Sequence, residues 1–164
     1  MERLWAPWRN AYVVNKKPSR SCLFCRAHRS SPKEDPKNLV LLRARHSFVI
    51  FNRYPYNNGH LMVTPNRHVA SLDQLTDPER LDLLRLLDRS LSLLKKTFRP
   101  AAFNVGINLG RMAGAGVPNH VHLHVVPRWA GDTNFMPVLT GTKVISDSLQ
   151  SAYRKLRKNL SQAQ

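Results

Sequence analysis

Three histidines alternate with aliphatic residues at His120-Val-His-Leu-His124-Val-Val-Pro127. A neutral imidazole is a nucleophile and base near pH 7 and the commonest metal ligand, so this run could carry any of those tasks. Period-two alternation predicts an extended strand with His120, His122 and His124 on one face. Val121, Leu123 and Val125 then turn to the other face, into a core. Same-face neighbours on a strand stand about 6.5–7 Å apart, too far for all three rings to share one metal ion or meet one phosphorus atom. Three buried imidazoles without partners would be costly. The row reads as three separate tasks.

The two cysteines of the chain stand at Cys22-Leu-Phe-Cys25. That spacing suits half a zinc site or a redox dithiol. A redox pair of this kind sits in a strand-to-helix unit, which the flanking sequence does not resemble. Metal ligation is the expectation if two further ligands exist, with incidental cysteines as the alternative. The stretch from Gly110 to Gly116 reads as a flexible loop. Its backbone N–H groups could approach phosphate oxygens, or it could be a plain turn.

Short strands are expected at Leu39–Arg43, Phe48–Asn52, His60–Thr64, Ala102–Asn108 and about 120–126. Residues 54–59 carry an Asn-Gly signal and should connect the second and third. Residues 29–38 read as a polar loop. A long helix is expected over 76–97, opened by the capping box Thr76-Asp-Pro-Glu79 and carrying Leu83, Leu84, Leu87, Leu91 and Leu94 on one face. Ile145, Leu149, Tyr153, Leu156 and Leu160 mark a C-terminal amphipathic helix. The fold class is α+β: an antiparallel sheet of about five strands with one long and one C-terminal helix. Residues 1–20 read as an N-terminal arm and 21–164 as a single domain.

The chain has 164 residues, 42% of them hydrophobic, enough for one core without staples. Its apolar stretches are too short to span a membrane and its start lacks the apolar region of a signal peptide, so a cytoplasmic protein is expected. Lys and Arg number 26 against 10 Asp and Glu, a formal net charge of +16. Such a surplus favours anionic partners such as polyphosphate or nucleic acid, or simply solubilises the surface.

The histidine run resembles the signature of the histidine-triad superfamily of nucleotide hydrolases and transferases. Residues 51–65 are similar to the family's earlier hairpin. The flanks Leu4-Trp-Ala-Pro-Trp-Arg9, Tyr54-Pro-Tyr56, Gly59-His-Leu-Met-Val63, Asn104-Val-Gly-Ile-Asn108 and Val126-Pro-Arg-Trp-Ala-Gly-Asp132 resemble most the bacterial branch with diadenosine-tetraphosphate phosphorylase activity. The resemblance implies that His122 attacks the α-phosphorus to form a nucleotidyl-histidine, its second ring nitrogen keeping a proton held by an acceptor. It implies that His124 contacts the phosphate or leaving group. Asn52 matches a position that meets the ribose and Asn108 a polar position near the α-phosphate; Gly114 and Gly116 belong to the phosphate-facing loop. Where many relatives carry Gln and Ser or Thr before the histidine strand, this chain has Gly116 and Val117.

The same resemblance implies a structural zinc held by Cys22, Cys25, His68 and His120, a closed tetrahedral donor set. His60 is then a buried, hydrogen-bonded histidine, and His28 and His46 lie on the surface. The implied activity is cleavage of dinucleoside polyphosphates. The alternatives are an AMP-releasing nucleoside phosphoramidate or polyphosphate hydrolase, and a nucleotide-binding scaffold with little turnover. A homodimer is implied, with helix 76–97 a candidate interface. Nucleic acid is not favoured as a partner, because no appended nucleic-acid-binding finger is present.

Overall fold

The computed structural model describes residues 21–133 and 145–161. The expected N-terminal arm therefore lies outside the described residues. The elements in chain order are α1 (Leu23–Arg29), a 3-10 turn (Pro32–Glu34), α2 (Asp35–Asn38), β1 (Val40–Arg43), β2 (Ser47–Phe51) and β3 (Leu61–Pro65). A second 3-10 turn (Leu72–Gln74), α3 (Asp77–Phe98), β4 (Ala102–Ile107), β5 (Leu123–Arg128) and α4 (Leu149–Ser161) follow. The expected polar loop over 29–38 thus contains two short helical pieces. Pro32 and Pro36 open them, at positions where the missing N–H costs nothing.

The five strands form one antiparallel sheet in the order β1-β2-β3-β5-β4. β2 and β3 are buried along their whole length, which explains their near-continuous apolar runs Ser47-Phe-Val-Ile-Phe51 and Leu61-Met-Val-Thr-Pro65. α3 packs across β2, β3 and β5, while α4 packs against β1 and α3. Thr76 and Glu79 form the expected capping box, satisfying orphan N–H groups at the start of α3. The buried stripe of α3 is Leu83, Leu86, Ser90, Leu93 and Leu94. Leu84 does not belong to it: the face is centred one residue further round, and Leu84 is 54% exposed.

Cross-strand partners share a face of the sheet. Ile50 pairs with Met62, Met62 with His124, and His124 with Gly106, so one row crosses four strands. Its neighbours Val121, Leu123 and Val125 are 2%, 5% and 0% exposed and enter the core with α3, as the alternation implied. β4 is an edge strand whose residues are mostly exposed.

Candidate active site and metal cluster

β5 supplies His124, but the strand ladder begins only at Leu123. His120 and His122 lie just before it, on backbone pinned by other means. Val121 N–H donates to Val69 O at 2.7 Å, Thr64 Oγ1 donates to Val121 O at 2.9 Å, and His120 N–H donates to Val117 O at 3.2 Å. The run is therefore extended and fixed without belonging wholly to the sheet. Ring centroids of His122 and His124 come within 4.9 Å, closer than an ideal strand would bring them, because the segment is not ideal strand.

The three rings point to different tasks. His120 is fully buried, and its Nε2 lies 2.9 Å from Pro65 O. A carbonyl only accepts, so Nε2 carries the proton and Nδ1 keeps its lone pair. Nδ1 lies 3.4 Å from Cys22 Sγ, 3.6 Å from Cys25 Sγ and 3.2 Å from His68 Nδ1; Cys25 Sγ lies 3.3 Å from His68 Nδ1. Zinc bonds of about 2.3 Å to sulfur and 2.0 Å to nitrogen give a tetrahedron with S···N edges of about 3.5 Å and N···N edges of about 3.3 Å. The four edges measured above are close to those spacings, and all four ligand atoms lie within 4.8 Å of one another. Burial lowers His120 to about 4, in favour of the neutral form that binds metal. The carbonyl of Pro65 orients the ring from its far side, as a second shell does. The Cys2His2 set fits a structural metal.

His122 donates Nδ1–H to the carbonyl of His120 at 2.9 Å. That leaves Nε2 as the basic nitrogen of a ring lining a cavity of about 530 Å³. Burial lowers its pKa, so it is neutral and nucleophilic at physiological pH. The ring is only 3% exposed. It forms part of the wall of a cleft rather than standing out on an open strand face.

His60, at the entry to β3, completes the constellation. The backbone N–H of Tyr56 donates to His60 Nδ1 at 3.0 Å, so a neutral His60 must carry its proton on Nε2. That nitrogen is 2.9 Å from His124 Nδ1. Burial, reinforced by His124 and His122, lowers His60 to about 3, which keeps it neutral. The chain of donors runs Tyr56 N–H to His60 to His124, leaving the His124 proton on Nε2. His60 is buried and hydrogen-bonded as the sequence implied, but its partner was not legible there. The adjacent Gly59 has φ +71°, and a Cβ there would meet Phe98 Cε2 at 3.1 Å and Leu94 Cδ2 at 3.2 Å. Only glycine fits this corner.

Among the sequence candidates, Asn52, Gly114, Gly116, His122 and His124 all line the cavity. Asn52 Oδ1 accepts from Tyr54 N–H at 3.0 Å, fixing the side chain at the start of the β2–β3 connection. Gly114 has φ +87°, a conformation that suits glycine in this turn. Asn108 does not line the cavity; it lies just past the end of β4, half-buried. His28 and His46 are half-buried rather than on the surface, with His28 stacked on Phe48 at 5.9 Å. Phe24, Arg26 and Arg53, which no motif singled out, also line the cavity. Among the described residues no Asp or Glu lines it, and its polar side chains are basic or neutral.

The HIT domain family model matches residues 33–131, and the chain belongs to that family. An "AP-4-A phosphorylase" of Mycobacterium tuberculosis is 40% identical over 161 residues, covering 95% of this chain and 83% of the relative. The solved NitFhit protein of Caenorhabditis elegans is 30% identical with a TM-score of 0.59, over 73% of this chain and 27% of that longer one. A zinc-bound histidine triad family protein from Mycobacterium smegmatis shares the fold with a TM-score of 0.67 at 23% identity, covering 87% of this chain and 95% of that one. These comparisons class the protein with the histidine-triad nucleotidyltransferases and hydrolases.

Proposed function

We propose that the protein cleaves dinucleoside polyphosphates, with diadenosine tetraphosphate as substrate, through a nucleotidyl-His122 intermediate. The observation that carries this reading is the His122 ring, deprotonated at Nε2 by its Nδ1–H bond to His120 O and set in the wall of the cavity. Nε2 attacks the α-phosphorus, and the bond from that phosphorus to the bridging oxygen breaks. His124 Nε2–H donates a hydrogen bond to the bridging oxygen as it departs, stabilising the charge that develops on the leaving ATP. An oxygen of orthophosphate then attacks the nucleotidyl-histidine, releasing ADP and restoring His122. The 40%-identical relative's phosphorylase name supports orthophosphate as acceptor.

Asn52 holds the ribose from the β2–β3 connection, while Gly114 and Gly116 face the phosphates. Arg26 and Arg53, with no carboxylate among the described residues of the lining, favour an anionic substrate. Asn108, just past the end of β4, supplies a polar group near the α-phosphate. Zinc is the metal that Cys22, Cys25, His68 and His120 hold, and when bound it cross-links the α1 turn to the histidine run. No helix among the described residues is long and apolar enough to cross a membrane, and a cytoplasmic location follows this reading. The enzyme is a homodimer joined along the edge of β4, which no described strand pairs and whose residues are mostly exposed among the described residues, since an open edge strand otherwise invites aggregation. The exposed Leu81 and Leu84 of α3 are the alternative contact.

Incubation of purified protein with diadenosine tetraphosphate, with and without orthophosphate, tests the reading. ADP and ATP formed only with phosphate are the expected products. AMP formed in water would instead make the enzyme a hydrolase, and nucleotide binding without product would make it a scaffold. Light scattering of wild type and Val105→Lys checks the dimer, which the substitution should dissociate.

A further inference from the structure

We propose that Phe24 is a positioning residue that couples the metal cluster to the nucleotide cavity, so that each ligand raises the other's affinity. The inference rests on the nucleotide and metal readings above and adds a linkage between them. Phe24 lies between the two cysteines in sequence and is fully buried. Its ring centroid is 5.1 Å from that of His120, a ligand of the metal set, and 5.0 Å from that of His122, the cavity nucleophile. The ring is also part of the cavity lining, along with Leu23, Arg26 and Ala27 of the same helix. One side chain therefore touches both sites.

The helix that carries it is held unequally at its two ends. At the C-terminal end, Arg43 Nη1 donates to His28 O at 2.8 Å and Nη2 to Ala27 O at 2.9 Å, and the same guanidinium pairs with Asp35. At the N-terminal end, Cys22 occupies the cap position and makes no side-chain cap bond. Ties there include the Cys22 and Cys25 thiols at the cluster and the packing of Phe24. Seven residues are too few for a helix to persist by propensity alone. Metal bonds to both sulfurs fix this turn and so fix the cavity wall. A nucleotide resting on Leu23, Phe24 and Ala27 orders the same turn from the other side. Two ligands that order one element must show positive, reciprocal coupling.

The test measures AMP affinity by calorimetry on zinc-loaded and chelator-treated protein, with circular dichroism confirming that the fold is retained. Zinc affinity is then measured against a competing chelator with and without saturating AMP. The expected result is AMP binding about tenfold weaker without zinc, and zinc binding about tenfold tighter with AMP, the two factors agreeing. Phe24→Leu keeps zinc stoichiometry and brings both factors below about threefold, an effect that a purely structural role for the ring would not produce. If chelation unfolds the protein, the zinc titration with and without AMP decides alone. Factors of one in the wild type overturn the coupling while both site readings stand. Absence of zinc uptake or of AMP binding overturns it together with the corresponding premise.

Discussion

His60 Nε2 lies 2.9 Å from His124 Nδ1, and this contact between two imidazoles decides which nitrogen of His124 carries the proton. Because Tyr56 N–H occupies the other nitrogen of His60, the relay has one direction only. His60→Phe keeps the approximate shape and removes the donor. It should lower kcat by about a hundredfold, the scale of losing one oriented donor to the developing charge. Single-turnover rates with diadenosine tetraphosphate check this, and an unchanged rate would show that His124 is oriented by something else.

The same burial makes the fold acid-sensitive. His60 is held near 3 when folded and returns to about 6.5 when unfolded, so below 6.5 the unfolded chain binds the extra proton. Stability contributed by this group is complete above pH 6.5 and is lost as pH falls toward 3. The slope is about 1.4 kcal/mol per pH unit for one proton. Urea melts at pH 7 and pH 4.5 should show a larger acid loss for wild type than for His60→Phe. Equal losses would contradict the assignment.

Metal and chemistry should separate by mutation. Cys25→Ser removes one ligand of the four-residue cluster and should lower both zinc content and Tm, the latter by roughly 5–10 °C in a domain of this size. His122→Ala should keep one zinc per chain and a near-native Tm while activity falls by at least about a thousandfold. Elemental analysis and calorimetric scans of both variants make the comparison.

Helix α3 offers a test of packing. Leu94 is fully buried and Leu84 is 54% exposed. Leu94→Ala should cost about 2–5 kcal/mol, whereas Leu84→Ala should stay within about 0.5 kcal/mol in the monomer. Denaturant titration distinguishes them, and similar costs would place Leu84 in an interface.

Features encoded by local periodicity were readable before the structure. The Thr76–Glu79 box, the leucine-rich helix and four of the five strands appear within a residue of their expected places, while β5 starts three residues later than expected, at Leu123, and leaves His120 and His122 outside the ladder. The facing of Leu84 was misread because a run of adjacent leucines blurs the stripe by about one position. α1 was invisible because seven residues give too little period, although Cys22 at its cap and Cys25 within it were conspicuous. His60 and His124 are 64 positions apart, and only the β3–β5 register brings them together. The role of Phe24 needed the same tertiary information. The candidate ligands Cys22, Cys25, His68 and His120 do meet, while Asn108, one residue past the end of β4, is not among the residues that line the cavity.

The central claim is covalent, and rapid acid- or base-quenched turnover followed by peptide mass spectrometry tests it most directly. With diadenosine tetraphosphate, the peptide containing residues 120–124 should gain the mass of one adenylyl group on His122. The His122→Ala peptide should gain none. An adduct on another residue, or turnover with no adduct at any quench time, would contradict the mechanism.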